Sequence, residues 1–130
     1  MTKTEPVSLE GTTSLEVGLN VTCPLWPKAL PMATGLSLDA ADAAFQAVRA
    51  QSQAAGDSGA EVSIVLGDDA LVQDLNRDYR GQDKATNVLS FPAMGPDEPP
   101  PPAGEVILLG DIIMAFETVA AEAKSQGKPL

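Results

Sequence analysis

The chain has 130 residues, of which 44% are hydrophobic and 20% are charged, and its formal net charge is -10. These values suit one soluble domain, because no apolar run approaches the ~20 residues of a membrane helix and the opening MTKTEPVSLE lacks the apolar core of a signal peptide. The negative charge opposes nonspecific binding to nucleic acid unless basic residues cluster locally, and the lack of histidine removes the commonest zinc ligand and general base.

The first third of the chain predicts one strand and one helix. Residues 1–14 are polar and aperiodic, and we expect them to be flexible, whereas residues 15–23 alternate in the period-2 pattern of a half-buried strand. A proline-rich loop follows. Ser37 or Asp39 is expected to cap the first helix, which ends in segment 55–59.

The middle of the chain predicts a strand followed by a helix. EVSIVL, residues 61–66, is rich in β-branched residues and ends at a glycine. Asp68 or Asp69 is expected to begin the second helix, and Gly81 to end it. Helical spacing places Tyr79 on the inner face of this helix with three aliphatic residues.

The last third predicts two strands and a helix. Residues 87–91 and 105–113 read as strands, and the proline-rich segment 92–104 joins them as a semi-rigid loop. Residues 115–126 predict the last helix, with Gly127 as its C-terminal cap. The order β-α-β-α-β-β-α favours a single α+β domain over 1–130, with a mixed four-stranded sheet and helices packed on it.

Five isolated residues have interpretations of their own. Cys23 cannot form an internal disulfide, so we expect a cytoplasmic protein in which it fills the core. Trp26 and Met32 are expected to pack in the loop that covers the first helix. Gly110 inside an apolar strand indicates a bulge or a close backbone approach, and the neighbouring carboxylate of Asp111 is expected to find a structural partner.

Basic residues gather at the end of the second helix. Arg77, Arg80 and Lys84 lie three and four residues apart, a spacing that places them on one helix face. A guanidinium there could hold a phosphate in a bidentate manner. Equally, these charges could be solvated and complement the negative C-terminal end of the helix dipole.

The polar residues around this cluster also have two interpretations. Asp78 and Asp83 could act as an acid and a base, but surface salt bridges are favoured because a glycine lies between them. Thr86 and Asn87 could bind a ligand, although closing the turn before the third strand is favoured. The chain contains no phosphate-binding loop, dinucleotide fingerprint, paired cysteines or serine-histidine-aspartate set, so residue chemistry alone leaves the function open.

Three motifs carry a family resemblance. NRDYRGQDKATNVLSFP, residues 76–92, contains most of L-N-x-x-Y-R-G and all of T-[DN]-V-L-S-F-P, and L-G-D-I follows at 109–112. In this order they resemble the YbeY family, bacterial endoribonucleases of 16S ribosomal RNA maturation and ribosome quality control. The resemblance covers about residues 60–130 and implies a metalloprotease-like fold.

The resemblance implies a zinc site that these residues do not contain. Family members continue with H-G-x-L-H-x-x-G-Y-D-H, whose three histidines bind Zn2+, whereas this sequence stops at Leu130. We therefore expect a truncated chain without metal ligands and without its C-terminal metal-binding helix, which is inactive as given and exposes apolar surface on its sheet.

The resemblance also implies site residues. Arg80 matches the functionally important arginine of Y-R-G, and the resemblance makes it a catalytic residue that faces the RNA backbone. We assign substrate binding to four further residues: Arg77, Lys84, Asn87 and Ser90.

The function implied is a single-strand-specific, metal-dependent endoribonuclease of 16S rRNA 3′-end maturation. Its expected partners are precursor 16S rRNA, the small ribosomal subunit and an Era-type GTPase, with no membrane. The alternative is a non-catalytic ribosome-assembly binding module, since an acidic surface suits basic partners. A metallopeptidase is a third interpretation, and it rests only on the likeness of the family's metal site to that of proteases.

Overall fold

The computed structural model describes residues 3–9, 15–51, 59–95, 97–99, 102 and 104–130. Its elements are, in chain order, β1 (Lys3–Leu9), β2 (Leu15–Val21), α1 (Leu25–Ala29), α2 (Ala33–Gln51), β3 (Ala60–Gly67), α3 (Asp69–Arg80), β4 (Val88–Pro92), β5 (Ile107–Ala115) and α4 (Phe116–Ser125). Within these ranges, no helix is both long and apolar enough to cross a membrane.

The strands form one mixed sheet in the order β1-β2-β3-β5-β4. The three central strands β2, β3 and β5 are parallel, as expected for strands joined through helices, whereas β1 and β4 run antiparallel to their neighbours. The predicted α+β class is confirmed, and the four predicted strands are β2 to β5. The last two of them, β4 and β5, pair antiparallel across the proline-rich segment.

A fifth strand, β1, lies at one edge of the sheet. Its residues pair with β2 from Lys3↔Val21 to Leu9↔Leu15, so a strand lies where the sequence predicted no regular element, and the flexibility expected of 1–14 stays a prediction. Residues 10–14 lie outside the described part of the chain. The backbone of β2 holds β1 in place, and Pro6 is tolerated because an edge strand leaves one side unpaired.

The predicted loop before the first helix contains the short helix α1. Its Trp26 is only 3% exposed, donates its indole N–H to the Gly67 carbonyl at 2.8 Å and meets the Phe116 ring edge-on at 5.2 Å. The helix expected to begin at Ser37 or Asp39 begins at Ala33 instead. Ser37 therefore lies inside α2, where its hydroxyl donates to the Ala33 carbonyl. The expected helix end in 55–59 falls mainly on residues outside the described ranges.

Apolar residues pack on both faces of the sheet. On the face covered by α2, here called the α2 face, the largest core cluster gathers alternate residues of β2 and β3 with Cys23 and Trp26. On the other face, the α3 face, the second cluster contains Val72 of α3 above Leu89 and Ile113. Cys23 is buried as predicted, but the predicted packing of Met32 is wrong, because its side chain is 67% exposed.

An apolar groove runs along the α2 face beside α2, and α4 borders one end of it. Its two cavities measure about 440 and 370 Å³. Leu36, Val119 and the terminal Leu130 line the first, and Phe45 and Ile107 line the second. The helices therefore leave part of the apolar surface of β3 and β5 uncovered.

The helices α3 and α4 share their N-terminal caps. The Asp69 amide donates to Glu117 Oε1 at 2.9 Å, and Asp69 Oδ1 accepts from the Thr118 amide at 3.0 Å and from its hydroxyl at 2.9 Å. Each carboxylate thus satisfies unpaired N–H groups at the first turn of the other helix.

A bulge in β5 lies beside Gly110. Glu61 pairs with Leu108 and the next residue of β3 pairs with Gly110, so Leu109 is the extra residue. Gly110 has φ 127°, and a Cβ there would press on the Phe91 carbonyl oxygen, which confirms the predicted close approach.

Asp111 does not have the structural partner predicted for it. Its side chain is exposed, and within the described ranges it makes no hydrogen bond or ion pair. An exposed carboxylate does not need a protein partner, because burial is what makes an unpaired charge costly.

Candidate nucleic-acid interface

The cations singled out in the sequence lie at the C-terminal end of α3. Asp68 caps the start of this helix by accepting from the Leu71 amide at 2.9 Å. Gly81 ends the helix in the left-handed conformation at φ 70°, and the Gln82 amide donates back to the Asn76 carbonyl at 3.2 Å. Both predicted boundaries are confirmed, and Arg80 is the last helical residue.

Asn76 fastens the loop that follows α3. Its side chain is only 2% exposed, and its Nδ2 donates to the Lys84 carbonyl at 2.9 Å. Its Oδ1 has no partner among the residues that the structure describes. This contact fixes the backbone of Lys84 below the end of the helix. The signal available in the sequence was an asparagine next to charged residues in a predicted helix.

Arg77 is held by three carboxylates. Its guanidinium lies 3.2 Å from Asp74, 3.1 Å from Asp78 and 3.9 Å from Asp83. The hydrogen bond to Asp78 and the negative charge of that residue raise the Arg77 pKa, with smaller contributions from Asp74 and Asp83. The predicted surface salt bridges of Asp78 and Asp83 are therefore confirmed, and substrate binding by Arg77, still a prediction, competes with these acids.

Arg80 and Lys84 are in a different situation. Both side chains are exposed, and neither forms an ion pair with any carboxylate in the described part of the chain. Their charges are available to an anionic ligand at the end of α3. Arg80 also lies in the last helical turn, where a cation complements the helix dipole, so both interpretations of this residue are compatible with the geometry.

Asn87 and Ser90 have other surroundings. Asn87 Nδ2 donates to Glu122 Oε1 in α4 at 2.9 Å, so its side chain joins the start of β4 to α4. The prediction that this side chain closes the preceding turn is therefore wrong. Ser90 is exposed and alternates along β4 with Leu89 and Phe91, which pack toward the α3 face. Ser90 thus lies on the α2 face, apart from Arg80.

Tyr79 lies outside the core, and its predicted inward position is wrong. Its side chain is 72% exposed, and its ring meets that of Phe91 at a centroid distance of 5.7 Å and an interplanar angle of 68°. Because Phe91 belongs to the edge strand β4, this contact places Tyr79 near the border of the sheet. Sequence reasoning gave this residue no functional role.

An acidic groove lies on the α3 face beyond Phe91. It measures about 420 Å³, and its carboxylates are those of Glu16, Glu61 and Asp111, which come from three adjacent strands. Asp111 pairs with Phe91 of β4, so the groove begins where the aromatic pair ends. Its negative potential opposes a phosphate backbone and favours a cationic group.

The residues present do not fit a zinc site. The sequence contains no histidine. Over the ranges that the structure covers, no three residues among cysteine, aspartate and glutamate are placed to hold a metal ion.

Comparison with known proteins gives consistent matches. The sequence profile described as endoribonuclease YbeY matches residues 34–130, a longer stretch than the motifs alone indicated. Proteins named endoribonuclease YbeY include one from Paramagnetospirillum magneticum, 46% identical over 119 residues, or 92% of this chain and 70% of the relative. One from Rhodospirillum rubrum is 61% identical over 67 residues, or 52% of this chain and 34% of the relative. One from Parvibaculum lavamentivorans is 54% identical over 86 residues, or 63% of this chain and 46% of the relative. The chain matches less than half the length of the last two.

Proposed function

The chain belongs to the endoribonuclease YbeY family, and we propose that the whole protein is a single-strand-specific, metal-dependent endoribonuclease of 16S rRNA 3′-end maturation and ribosome quality control. We assign to these 130 residues the grip on the RNA backbone. The observation that carries this assignment is the unpaired state of Arg80 and Lys84 among the described residues of a chain with net charge -10. We place the protein in the cytoplasm with the ribosome.

The proposed task of Arg80 is to bind the phosphate next to the scissile bond. A planar guanidinium can donate two parallel hydrogen bonds to the non-bridging oxygens of a phosphate. Such donors stabilise the negative charge that grows on these oxygens when a nucleophile adds to phosphorus. Lys84 would neutralise a neighbouring phosphate with its ammonium group. Asn76 holds the backbone of Lys84 and so keeps this residue near the end of α3.

Variants of the two arginines test this assignment. Arg80→Ala should weaken binding of a labelled single-stranded RNA on the order of tenfold, as expected for the loss of a charge-assisted contact. Arg77→Ala is the matched control, because that side chain is engaged by Asp74 and Asp78. Equal loss in both variants would contradict the special role of Arg80.

The three histidines that the family resemblance implies as zinc ligands are absent from this sequence. We therefore expect that the 130-residue chain neither retains zinc nor cleaves RNA. Stoichiometric zinc after dialysis against a weak chelator would contradict this expectation. Fusing to Leu130 the histidine-containing segment of a family member should confer both metal binding and cleavage.

A second candidate function is favoured by the acidic groove. Carboxylates of Glu16, Glu61 and Asp111 on one concave surface suit a basic segment of a protein partner, such as one from the small ribosomal subunit or an Era-type GTPase. A non-catalytic assembly module of this kind would sediment with small-subunit particles without nuclease activity. Glu61→Gln with Asp111→Asn should reduce that cosedimentation, and an unchanged level would exclude the groove as the contact.

A further inference from the structure

Tyr79 is a large aromatic side chain that is both exposed and held in place. Its neighbours on the inner side of α3, Val72 and Asn76, are buried, whereas Tyr79 is 72% exposed. Phe91 holds the ring through the edge-to-face contact at 5.7 Å, and Phe91 is itself packed against the buried cluster of the α3 face. The ring therefore loses little conformational freedom if a ligand covers it.

The geometry of this pair leaves ring surface available. In an edge-to-face arrangement one ring contributes its edge and the other one face, so Tyr79 keeps at least one face that Phe91 does not cover. Phe91 lies on β4, and none of the described strands pairs with the outer side of β4. A flat ligand can thus approach Tyr79 from the border of the sheet.

Two cations near Tyr79 in the chain favour an anionic ligand, since the carboxylate of Asp78 on its other side is paired with Arg77. Arg80 follows it directly, so the two Cα atoms lie about 3.8 Å apart. Lys84 lies in the loop fastened by Asn76, and neither cation is paired with a described carboxylate. Aromatic rings beside backbone-binding cations are the combination that single-stranded nucleic-acid sites use, because every base has a face that stacks.

We propose that Tyr79, supported by Phe91, is a stacking platform for an unpaired base of single-stranded RNA whose phosphate is bound by Arg80. The inference rests on the proposed function, and it adds a base-binding subsite to the backbone contact. The carboxylate of Asp111 beyond Phe91 repels phosphate, so the strand continues on the side of Arg80 and Lys84. Stacking does not read base identity, so this subsite selects for unpaired bases and not for a sequence.

The test compares two oligomers of equal charge on the 130-residue chain. One is a fluorescein-labelled oligoadenylate of about ten nucleotides, and the other is an abasic ribose-phosphate chain of the same length. Fluorescence anisotropy at low salt should show that the first binds more tightly, on the order of tenfold. Tyr79→Leu, which keeps apolar contact with Phe91, should abolish this preference and leave binding of the abasic chain unchanged.

Three further variants separate stacking from charge and from nonspecific apolar binding. Tyr79→Phe should keep the preference, because it retains the aromatic face, and Arg80→Ala should weaken both oligomers by the same factor. Met32→Ala removes a comparably exposed side chain in the segment before α2 and should change neither affinity.

The outcomes distinguish the subsite from the proposed function. Equal binding of the two oligomers by the unmodified chain would overturn the stacking platform and leave the backbone contact standing. Binding of neither oligomer would overturn both. A preference that survives in Tyr79→Leu, with an unfolding transition like that of the parent chain, would place the stacked base elsewhere.

Discussion

Asn76 gives the sharpest test of how the loop after α3 is held. Its buried Nδ2 donates to the Lys84 carbonyl at 2.9 Å, and its Oδ1 has no partner in the described part of the chain. Asn76→Asp keeps the size of the side chain but replaces the donor by a carboxylate oxygen that faces the carbonyl. The substitution therefore removes one hydrogen bond and introduces a buried charge.

The expected cost follows from these two effects. Losing the partner of a buried group costs about 1–3 kcal/mol, and burial of an unpaired carboxylate raises the total to about 3 kcal/mol or more at pH 7. For a domain of this size, that lowers the melting temperature by roughly 10 °C. The change is large against a total free energy of unfolding of about 5–15 kcal/mol.

The pH dependence of the variant checks the cause. Burial raises the pKa of the introduced carboxyl above its unfolded value of about 3.9, so the folded state binds more protons than the unfolded state between these two pKa values. The free energy of unfolding then falls as pH rises through this window. Below it, the protonated carboxyl can donate to the Lys84 carbonyl, so the deficit should be smaller at acid pH.

Urea unfolding of the parent chain and of Asn76→Asp, at pH 7 and at acid pH, measures both quantities. Gln82→Glu is the matched control, because it adds the same charge to an exposed side chain of the same loop. A variant as stable as its parent at pH 7, or a deficit that is equal at both pH values, would refute the reasoning.

Three further predictions concern the scaffold. Asp69→Ala removes both hydrogen bonds accepted from Thr118 and should lower the free energy of unfolding in urea by about 1–2 kcal/mol. Asp69→Asn keeps an acceptor and should lower it less. Equal decreases in the two variants would contradict the shared cap. Gly110→Ala should cost about 3 kcal/mol in thermal unfolding, because of the φ of 127° and the nearby Phe91 carbonyl. Gly18→Ala is the control and should cost far less, since nothing lies within 4 Å of the added carbon. Similar melting temperatures of the two variants would argue against the bulge. The apolar groove should bind an environment-sensitive dye, and Leu36→Glu at its rim should reduce the dye fluorescence. A parent chain that unfolds cooperatively and gives no dye fluorescence would show that the groove is closed.

Local signals explain why α3 could be predicted from the sequence. Asp68 and Gly81 act through hydrogen bonds to residues three to five positions away, so the capping residue and the glycine define both ends of the helix. The mid-strand position of Gly110 likewise predicted a close approach, since a strand has few other uses for glycine.

Contacts between distant residues explain what the sequence did not show. The backbone of β1 is held by its pairing with β2, although its own residues show no strand pattern. Asn87 bonds to Glu122, 35 residues away, and not to its own turn. Tyr79 contacts Phe91 of the edge strand β4, a contact that helical spacing within α3 does not predict.

For the candidate site too, local spacing predicted some residues, and contacts between distant residues determined the others. Spacing alone brought Arg77, Arg80 and Lys84 together, and the three-residue interval from Asp74 would have indicated that Arg77 is engaged. The acidic groove could not be found from spacing, since Glu16, Glu61 and Asp111 meet only through the register of three strands. Local charge patterns therefore located the cations, and the sheet register was needed to locate the opposing acids.

The shared caps of α3 and α4 have a consequence for motion. Asp69 and Thr118 bond to each other across 49 residues, and Asp69 also binds Glu117, so neither helix can unwind at its first turn without exposing N–H groups of the other. The amide hydrogens of Asp69 and Thr118 should then exchange with solvent in one common opening event. A change at the start of α4 would therefore alter how often α3, the helix that carries Arg80, opens together with α4.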